Sequence, residues 1–492
     1  MDKRFKITRS PRNPKQPSKH ITTFPFSGIT SIIKMPSQKG FIWADNRYIC
    51  TQPPRGPCIF LIVMDIQDLY GLYLKHPVIS TDSRHVPAGC IFFALKGQNF
   101  DGNQFAAQSL DQGAAYAVVD DPAVAREKRF ILVGHVLECL QKLAGYHRRK
   151  LNIPVVAITG TNGKTTTKEL ISVVLRKKYA VTATQGNLNN HIGVPVTLLG
   201  MTGETELAVI EMGANHPGEI AALCQIAEPD YGLITNIGKA HLEGFGSLEG
   251  IIRTKSELYD FLRQHHGKCF INLNNGLLVK QAAGLDFLTY GNTPEAQLQG
   301  VPEDSSWYLT VRALFPKGWL YLKSNLIGAY NFENILAAAR VGLHFGVDPT
   351  DIQMAIAHYQ PGNSRSQLIG KGTNRIIMDA YNANPTSMTA ALDNFIRIRH
   401  PKKAVILGDM LELGSHAQEE HAKIAAMIRQ ADFNLACLVG PCFSATDAGP
   451  AKKFLTTELL SEFLGRQDPL TESLILVKGS NGIRLEKIID KL

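Results

Sequence analysis

The residues best suited to chemistry follow a predicted strand about one third of the way along the chain. Residues 153–159 (IPVVAIT) have the apolar, β-branched composition of a buried strand. A turn and the start of a predicted helix come next, with the residues Gly160, Thr161, Asn162, Gly163, Lys164, Thr165 and Thr166. Backbone N–H groups at a helix N-terminus bind anions, a lysine there reaches terminal phosphates, and a threonine hydroxyl can bind Mg²⁺. This segment therefore predicts a site for nucleotide phosphates and Mg²⁺.

The loop departs from the common phosphate-binding pattern G-x-x-x-x-G-K-[ST]. Ile158 stands where the first glycine of that pattern would fall, and the glycine is at position 160. The shorter loop T-G-T-N-G-K-T-T resembles the ATP loop of the Mur ligase superfamily, which includes the folylpolyglutamate synthetases. The alternative is a glycine-rich strand–helix turn that binds no ligand.

Three later residues are candidates for a cation site beside this loop. Glu211 ends the predicted strand 207–210, and a carboxylate at that strand edge suits a Mg²⁺ ligand. Lys255 lies on or next to the apolar stripe of the predicted helix 248–262, and burial disfavours an ammonium group. The resemblance implies that His241 is a metal ligand and that Lys255 is carbamylated, which would make it an anionic ligand. The alternatives are a polar surface histidine and a lysine that extends to solvent.

Two polar segments suit the acceptor substrate. The segment GNLNN-x-IGVP is typical of a hydrogen-bonding loop over a sugar or a phosphate, with Asn187, Asn189 and Asn190 as its candidates. The segment STDSR at 80–84, followed by F-x-A-L-x-G and F-D-G, resembles the N-terminal domain of the Mur ligases. That resemblance implies that Ser83 and Arg84 bind the UDP end of the substrate. A polar turn is the alternative for each segment.

The remaining candidates lie in the last third of the chain. Asn331 and Asn334 are spaced to present both amides on one face of a helix, which suits an adenine edge. The resemblance implies that Arg365 and Asp379 complete the ATP site from a third domain. It also implies substrate contacts from the motif D-A-Y-N-A-N-P, with the residues Tyr381, Asn382 and Asn384.

Composition limits the other classes of function. The chain has 492 residues, 44% hydrophobic and 19% charged, which is ordinary for a globular enzyme of two to four domains. Its net charge of +9 lies in residues 1–63, which hold eleven Lys/Arg against two Asp, so the rest is neutral. The neutral body gives no electrostatic reason to expect nucleic acid or an anionic membrane. The eight cysteines form no C-x-x-C pair, and no apolar run is long enough for a membrane span.

Residues 1–63 are proline-rich, basic and without clear periodicity, whereas residues 64–70 predict a short amphipathic helix. Three interpretations of this leader stay open. Met64 is the true first residue and the leader comes from an upstream start, or the leader is a cleaved transit peptide, or it is a basic tail that binds an acidic partner.

The resemblance to the Mur ligases covers residues 64–492 and implies an α/β protein of three domains. We expect a small UDP-binding domain at 64–146, a central P-loop ATPase-like parallel-sheet domain at 147–360 and a Rossmann-like domain at 361–492. The sequence departs from the family at Ala380, where serine is frequent.

The implied activity is an ATP- and Mg²⁺-dependent amide ligase of peptidoglycan precursor synthesis. D-A-Y-N-A-N-P and G-D-M-x-E-L-G favour the branch that joins D-alanyl-D-alanine to UDP-N-acetylmuramoyl-tripeptide through an acyl phosphate. We expect a cytoplasmic monomer that binds no nucleic acid and spans no membrane. The alternatives are a folylpolyglutamate-type ligase and a non-catalytic nucleotide-binding regulatory protein.

Overall fold

A computed structural model describes residues 31–33, 42–45, 48–51, 59–303, 307–362 and 364–492. Its strands form three large sheets that follow one another along the chain. A separate two-stranded hairpin lies, in chain order, between two strands of the first sheet. Helices pack against all three sheets, as expected for an α/β protein.

The first sheet has the strand order β1-β2-β3-β4-β10-β9-β6-β5, and β7 pairs with β8. Its strands from β4 to β5 in that order are parallel, and the side chains of β6, β9 and β10 are almost entirely buried. The strands are β1 (Ser31–Ile33), β2 (Ile42–Asp45), β3 (Tyr48–Thr51), β4 (Ile59–Val63), β5 (Ile79–Ser80), β6 (Ile91–Phe93), β7 (Lys96–Gly97), β8 (Phe100–Asp101), β9 (Tyr116–Val119) and β10 (Phe130–Leu132). The helices are α1 (Ile66–Lys75), α2 (Ala106–Asp111) and α3 (Val136–Leu151).

The predicted leader contributes backbone to one edge of this sheet. β4 pairs in parallel with β10, and β3, β2 and β1 continue the sheet in antiparallel order. The other residues before position 59 lie outside the described residues, so the interpretation of the leader stays a prediction. The helix expected at 64–70 is α1, which Asp65 caps by accepting hydrogen bonds from the N–H groups of Gln67 and Asp68.

The second sheet has the strand order β12-β13-β11-β14-β15-β16-β17-β18-β19 and is parallel except for the last two strands. The strands are β11 (Val155–Thr159), β12 (Val181–Ala183), β13 (Leu207–Glu211), β14 (Tyr231–Ile234), β15 (Lys268–Asn272), β16 (Asp286–Gly291), β17 (Leu298–Glu303), β18 (Tyr308–Phe315) and β19 (Gly318–Ile327). The helices are α4 (Lys164–Leu175), α5 (Gly193–Leu199), α6 (Glu219–Ala227), α7 (Leu242–Phe245), α8 (Leu248–Gln264), α9 (Gly276–Gln281), α10 (Phe332–His344) and α11 (Pro349–His358).

The central strand β11 is buried on both faces of this sheet. Val156 and Ile158 pack with residues of α4, α10 and α11, whereas Val155 and Ala157 pack with residues of α3, α6 and α8. Helices on both faces leave the carboxyl ends of the parallel strands free to form a binding edge. The loop after β11 opens at that edge.

The third sheet has the strand order β20-β21-β25-β22-β23-β24, and only the pair β20–β21 within it is antiparallel. The strands are β20 (Gln367–Lys371), β21 (Asn374–Asp379), β22 (Lys403–Gly408), β23 (Leu435–Val439), β24 (Lys452–Phe454) and β25 (Leu474–Lys478). The helices are α12 (Pro385–Arg397), α13 (Ala417–Gln430), α14 (Pro441–Ser444) and α15 (Thr457–Arg466).

Two details differ from the expected element bounds. The sequence of residues 216–227 predicts a helix from 216, but α6 begins at Glu219, because Gly218 has φ +85° and Glu219 accepts hydrogen bonds from the N–H groups of Asn215 and His216. Helix α3 runs through the proposed domain boundary at 146/147 and ends at Leu151. The domain limits therefore stay predictions.

Candidate active site

A cleft of about 610 Å³ lies between the second and third sheets, at the carboxyl ends of β11 and β13. The predicted residues that line it are Thr161, Asn162, Gly163, Lys164, Thr165, Thr166, Asn187, Asn189, Asn190, Glu211, His241, Asn331, Asn334, Arg365, Asp379, Tyr381, Asn382 and Asn384. Residues predicted to act together thus lie around one space.

Two positions in the loop before α4 require glycine. Gly160 has φ +141°, and a Cβ there would lie 2.1 Å from Thr235 Oγ1. Gly163 has φ +80° and precedes the first residue of α4, and a Cβ there would lie 2.7 Å from Asn334 Oδ1. The loop is therefore held close to its neighbours, and the first N–H groups of α4 face the cleft end of the sheet.

The Lys164 ammonium folds back over its own loop. Its Nζ donates hydrogen bonds to the carbonyl oxygens of Gly160 at 2.7 Å and Thr161 at 3.0 Å. Burial lowers the pKa of Lys164 to about 8, although the Glu211 carboxylate opposes this and Arg365 adds to it. The pair of basic groups at this point favours an anionic ligand.

Glu211, at the end of β13, is 1% exposed and turned toward the loop. Its Oε1 accepts hydrogen bonds from Thr165 Oγ1 at 3.2 Å and Asn189 Nδ2 at 2.8 Å. Its Oε2 is buried and has no hydrogen-bond partner among the described residues. A buried carboxylate oxygen without a partner is costly, so this oxygen fits a bound cation.

Lys255 is 2% exposed, which confirms the burial predicted from its flanking apolar residues. Its Nζ lies 3.4 Å from the Ala214 carbonyl oxygen and 5.3 Å from the centre of the Phe245 ring. Burial and, to a smaller extent, the positive charge of Lys164 together lower the pKa of Lys255 to about 7. Whether Lys255 carries a carbamate stays a prediction.

His241 lies at the start of α7 with φ +50°. Its Nδ1 is 2.5 Å from the Oε2 of Glu412, a residue of the loop after β22. The hydrogen bond to His241 lowers the pKa of the Glu412 carboxyl. The predicted metal histidine is therefore contacted by a carboxylate that sequence reasoning did not single out.

The predicted amide residues contact one another and neighbouring helices. Asn334 Nδ2 donates to Asn331 Oδ1 at 2.9 Å, and Thr167 Oγ1 donates to Asn334 Oδ1 at 3.0 Å. Asn190 Oδ1 accepts from the N–H groups of Ile192 at 3.1 Å and Gly193 at 2.9 Å, in the turn that leads into α5. These amides hold the walls of the cleft, and their predicted contacts with ATP and substrate stay predictions.

The other wall of the cleft comes from the third sheet. The Arg365 guanidinium stacks 3.7 Å from the centre of the Tyr381 ring. Asp379 Oδ2 lies 2.7 Å from Nζ of Lys478, a side chain that is almost fully buried at the end of β25. Asn382 Oδ1 accepts a hydrogen bond from the Ala383 N–H, and the Asn382 carbonyl oxygen accepts from Lys478 Nζ.

The two walls contact each other through side-chain amides. Asn384 Nδ2 donates to Asn162 Oδ1 at 2.8 Å, and Asn162 Nδ2 donates to Asn384 Oδ1 at 3.4 Å. Asn384 also caps α12, since its Oδ1 accepts from the Ser387 N–H at 2.9 Å. The loop before α4 and the start of α12 are thereby joined across the cleft.

Gly160 and Lys255 do not line this cleft, although Thr161 beside Gly160 and Ala214, which accepts from Lys255 Nζ, do. Ser83 and Arg84 are the other predicted residues that do not line it. They lie in a turn after β5, where Arg84 is highly exposed. Its guanidinium donates hydrogen bonds to both carboxylate oxygens of Asp82, at 2.9 and 2.7 Å. This pair lowers the pKa of Asp82 to about 2. Their role with the UDP end stays a prediction.

Sequence reasoning missed several residues of the cleft. Lys478, which lines the cleft, was not among the predicted site residues. Glu412, which contacts His241 but does not line the cleft, lies in the motif G-D-M-x-E-L-G, which served only to choose a branch of the family. The missed cleft residues or contacts also include Tyr330, whose hydroxyl lies 2.8 Å from Ser366 Oγ, and Thr386, whose Oγ1 accepts from the Lys239 N–H. Strand ends were the available signal for Lys478, Glu412 and Thr386, which lie at or after the carboxyl ends of the parallel strands β25, β22 and β21. Tyr330 follows the antiparallel strand β19 and had no such signal.

The folds of the three sheets and the cleft between two of them define a nucleotide-binding α/β enzyme with several domains. Residues 77–148 match the Mur ligase family catalytic domain, residues 158–342 match the Mur ligase middle domain, and residues 364–467 match the Mur ligase glutamate ligase domain. The chain belongs to the Mur ligase family.

Named relatives refine this position within the family. The chain is 34% identical over 429 residues to the UDP-N-acetylmuramoyl-tripeptide–D-alanyl-D-alanine ligase of Bacillus subtilis (strain 168), covering 84% of this chain and 92% of the relative. A crystal structure of MurF from Acinetobacter baumannii has a TM-score of 0.77 and 32% identity, covering 84% of this chain and 92% of that one.

A second solved structure, MurF ligase from Thermotoga maritima in complex with ADP, has a TM-score of 0.75 and 26% identity. It covers 85% of this chain and 97% of that one. Among the described residues, no helix combines the length and the apolar character that crossing a membrane would require.

Proposed function

We propose that this chain joins D-alanyl-D-alanine to UDP-N-acetylmuramoyl-tripeptide in an ATP-dependent reaction of peptidoglycan precursor synthesis. The named relatives and the family domains support this assignment. The structural observation that carries it is the buried carboxylate of Glu211 beside Lys164 and Thr165, at the end of the ATP loop.

The chemistry follows from the poor reactivity of a carboxylate toward an amine. The terminal carboxylate of the tripeptide attacks the γ-phosphorus of ATP, ADP leaves, and an acyl phosphate forms. The amine of D-alanyl-D-alanine then attacks the acyl carbon, the C–O bond to phosphate breaks, and the nitrogen loses a proton. The products are the amide, ADP and inorganic phosphate. Catalysis of such a phosphoryl transfer consists mainly of positioning and charge stabilisation.

The ATP loop supplies both functions. With ATP bound, the first N–H groups of α4 and the Lys164 ammonium, which otherwise bonds to carbonyl oxygens of its own loop, would face the transferring phosphoryl group, where negative charge is spread over three oxygens. Burial and the nearby positive charge of Arg365 together lower the pKa of Lys164 to about 8. An anionic phosphate between them would relieve this repulsion and favour the protonated lysine.

The donor set at Glu211 fits Mg²⁺, because a buried oxygen of Glu211 lacks a partner and a threonine hydroxyl lies beside it. We infer that Thr165 and Glu211 hold one ion, and that Glu211, His241 and carbamylated Lys255 hold a second. When bound, the ions would neutralise charge on the phosphoryl oxygens. Around them, Asn189 holds Glu211 in place through its 2.8 Å hydrogen bond.

The carbamate on Lys255 depends on a neutral amine, because only that form adds CO₂. Burial and the neighbouring Lys164 hold the pKa of Lys255 at about 7, so neutral amine is abundant near pH 7. The measurement is the mass of the intact chain with and without bicarbonate. We expect a carbamate increment, loss of most activity in Lys255→Ala, and slight recovery in Lys255→Glu, which supplies an oxygen ligand on a shorter stem. An unmodified lysine in active enzyme would exclude this role.

The third sheet would complete the ATP site with Arg365 and Asp379, and would contact substrate through Tyr381, Asn382 and Asn384. Closing the cleft around the acyl phosphate would exclude water from a group that hydrolyses readily. We place the UDP end near Ser83 and Arg84, in the first sheet, and the muramoyl peptide near Asn187, Asn189 and Asn190.

The test is release of inorganic phosphate in the presence of ATP, Mg²⁺, UDP-N-acetylmuramoyl-tripeptide and D-alanyl-D-alanine, with each component omitted in turn. We expect release to require all four. Phosphate release with a folate and glutamate instead would assign the chain to the folylpolyglutamate branch. ATP binding without release under either condition would assign it a regulatory role.

A further inference from the structure

The loop between β22 and α13, residues 409–416, touches the loop that carries His241. Glu412 Oε2 lies 2.5 Å from His241 Nδ1, and the Glu243 N–H donates to the Glu412 carbonyl oxygen at 3.5 Å. A Cβ on Gly414 would lie 3.4 Å from Glu243 Cβ, so the backbones also meet closely. Glu412 belongs to the third sheet's domain, whereas His241 follows the second sheet.

The Glu412 loop is fixed by contacts that do not involve His241. Asp409 accepts hydrogen bonds from the N–H groups of Cys442 at 2.8 Å and Phe443 at 2.9 Å. The Met410 N–H donates to His421 Nε2 at 2.9 Å, and the Leu411 N–H donates to Ser480 Oγ at 3.0 Å. The carboxylate of Glu412 is therefore presented by a preformed loop.

Glu412 and His241 both have a backbone conformation that residues other than glycine rarely adopt. Glu412 has φ +63° and His241 has φ +50°. Such conformations persist where the surrounding structure imposes them, and they occur often at functional sites. Here they aim the carboxylate and the imidazole at each other across the domain interface.

The contact also decides which imidazole nitrogen can bind a cation. Nδ1 is buried and has no other acceptor among the described residues, so a proton on Nδ1 would be accepted by the Glu412 carboxylate 2.5 Å away, and Nε2 would then keep its lone pair. Metal-binding histidines commonly donate their second N–H to a carboxylate in this way, which orients the ring and raises its basicity. His241 also lines the cleft, as does Glu211.

We propose that Glu412 is a positioning residue that orients His241 for the divalent cation, and that it links this cation site to contact between the two domains. The inference rests on the proposed role of His241 as a cation ligand. Since Glu412 enters from the third sheet's domain, the cation binds most tightly when that domain is in place.

The test is the affinity of the full chain for Mn²⁺, measured by electron paramagnetic resonance with a non-hydrolysable ATP analogue present. Glu412→Ala should raise the Kd of the His241-linked ion about tenfold, the lower end of the effect of removing such a partner. Glu412→Gln keeps an oxygen acceptor and should raise it less. The Glu412 side chain is half exposed, so the melting temperature should stay near that of the wild type.

Glu420→Gln is the matched control. Glu420 also joins the two domains, through Lys239 on the His241 loop at 3.0 Å, and this variant removes the same charge without touching His241. Its Mn²⁺ affinity should equal that of the wild type. An equal loss in Glu412→Ala and Glu420→Gln would overturn the proposal, because it would reflect domain contact in general.

His241→Ala separates this inference from the proposed function. If His241→Ala weakens Mn²⁺ binding and Glu412→Ala does not, the role of Glu412 is wrong and the ligand assignment stands. If His241→Ala binds Mn²⁺ like the wild type, the ligand assignment is wrong and the role of Glu412 falls with it.

Discussion

The two walls of the cleft are built in different ways. The wall from the second sheet is held together within one domain, by the hydrogen bonds of Glu211 to Thr165 and Asn189 and by the close packing around Gly160. The wall from the third sheet has its own buried pair, Asp379 with Lys478. It meets the first wall through a small set of polar contacts, and buried apolar residues of the two domains also belong to one hydrophobic cluster.

The two ion pairs between the walls are weak, because each has a half-exposed partner. Lys239 is half exposed, although its partner Glu420 is buried, and Glu412 is half exposed in its pair with His241. Exposed ion pairs contribute about 0–1 kcal/mol each. Breaking one of these ion pairs should therefore cost little, whereas breaking the buried contacts within either wall should cost more. The side chains of each wall are therefore positioned within their own domain, and contact between the two domains brings the walls together.

The largest effect should come from the preformed wall of the second sheet. Lys164→Ala removes the ammonium that faces the transferring phosphoryl group, and the rate of ligation should fall about a thousandfold. The fold should remain, since the Lys164 side chain bonds only to carbonyl oxygens of its own loop among the described residues. Phosphate release and the melting curve check the two parts of this expectation.

Lys177→Ala is the control for Lys164→Ala. Lys177 is exposed just after the end of α4 and should tolerate alanine without change in rate or melting temperature. A Lys164→Ala enzyme that folds correctly and ligates near the wild-type rate would show that this wall is not the phosphate site.

The wall of the second sheet could be predicted from the sequence because its parts are local. A β-branched run, a glycine turn and a Lys-Thr pair lie within 14 residues, 153–166, and each has a direct physical meaning. The parallel sheets could be predicted in the same way, from buried strands that alternate with helices. Glu211 followed from its position at a strand end.

The contacts between the walls could not be predicted in this way. Asn162 and Asn384 are 222 positions apart, and Glu412 and His241 are 171 positions apart by their numbers. No local pattern specifies which loops of two sheets face each other. The Asp379–Lys478 pair was missed for a related reason, since it requires knowing that β21 and β25 are neighbours.

Replacing a buried lysine by methionine should change the stability in opposite directions in the domains of the second and third sheets. Lys478→Met leaves the Asp379 carboxylate without its partner, which should destabilise the chain by about 3 kcal/mol. Lys255→Met removes an ammonium that burial disfavours, so at pH 7 it should stabilise the chain. Urea midpoints in bicarbonate-free buffer measure both, because carbamate formation would change the charge of Lys255.

The effect of Lys255→Met should also depend on pH in a stated direction. The folded pKa of Lys255, about 7, is below its unfolded value of about 10.4. Between these values the unfolded chain binds more protons, so wild-type stability rises with pH by up to about 1.4 kcal/mol per unit. The advantage of Lys255→Met should therefore shrink from pH 7 to pH 9. A constant difference would mean that Lys255 stays charged in the folded chain.

The smallest effect should come from the contact between the walls, at Asn384. Asn384→Ala removes both the cap of α12 and the amide pair with Asn162. Losing the cap should lower the stability by about 1 kcal/mol. Losing the pair should also loosen the joined walls, so the KM for ATP should rise several-fold. Melting curves and initial rates measure the two losses separately.

Thr456→Ala is the matched variant that removes a cap alone. Thr456 caps α15 in the same domain, where its Oγ1 accepts from the Leu459 N–H at 3.4 Å, and it does not line the cleft. It should lower the melting temperature about as much as Asn384→Ala and leave the KM for ATP unchanged. Equal KM values in the two variants would mean that the amide pair does not help to bring the walls together, and that the half-exposed ion pairs of Lys239 and His241 suffice for it.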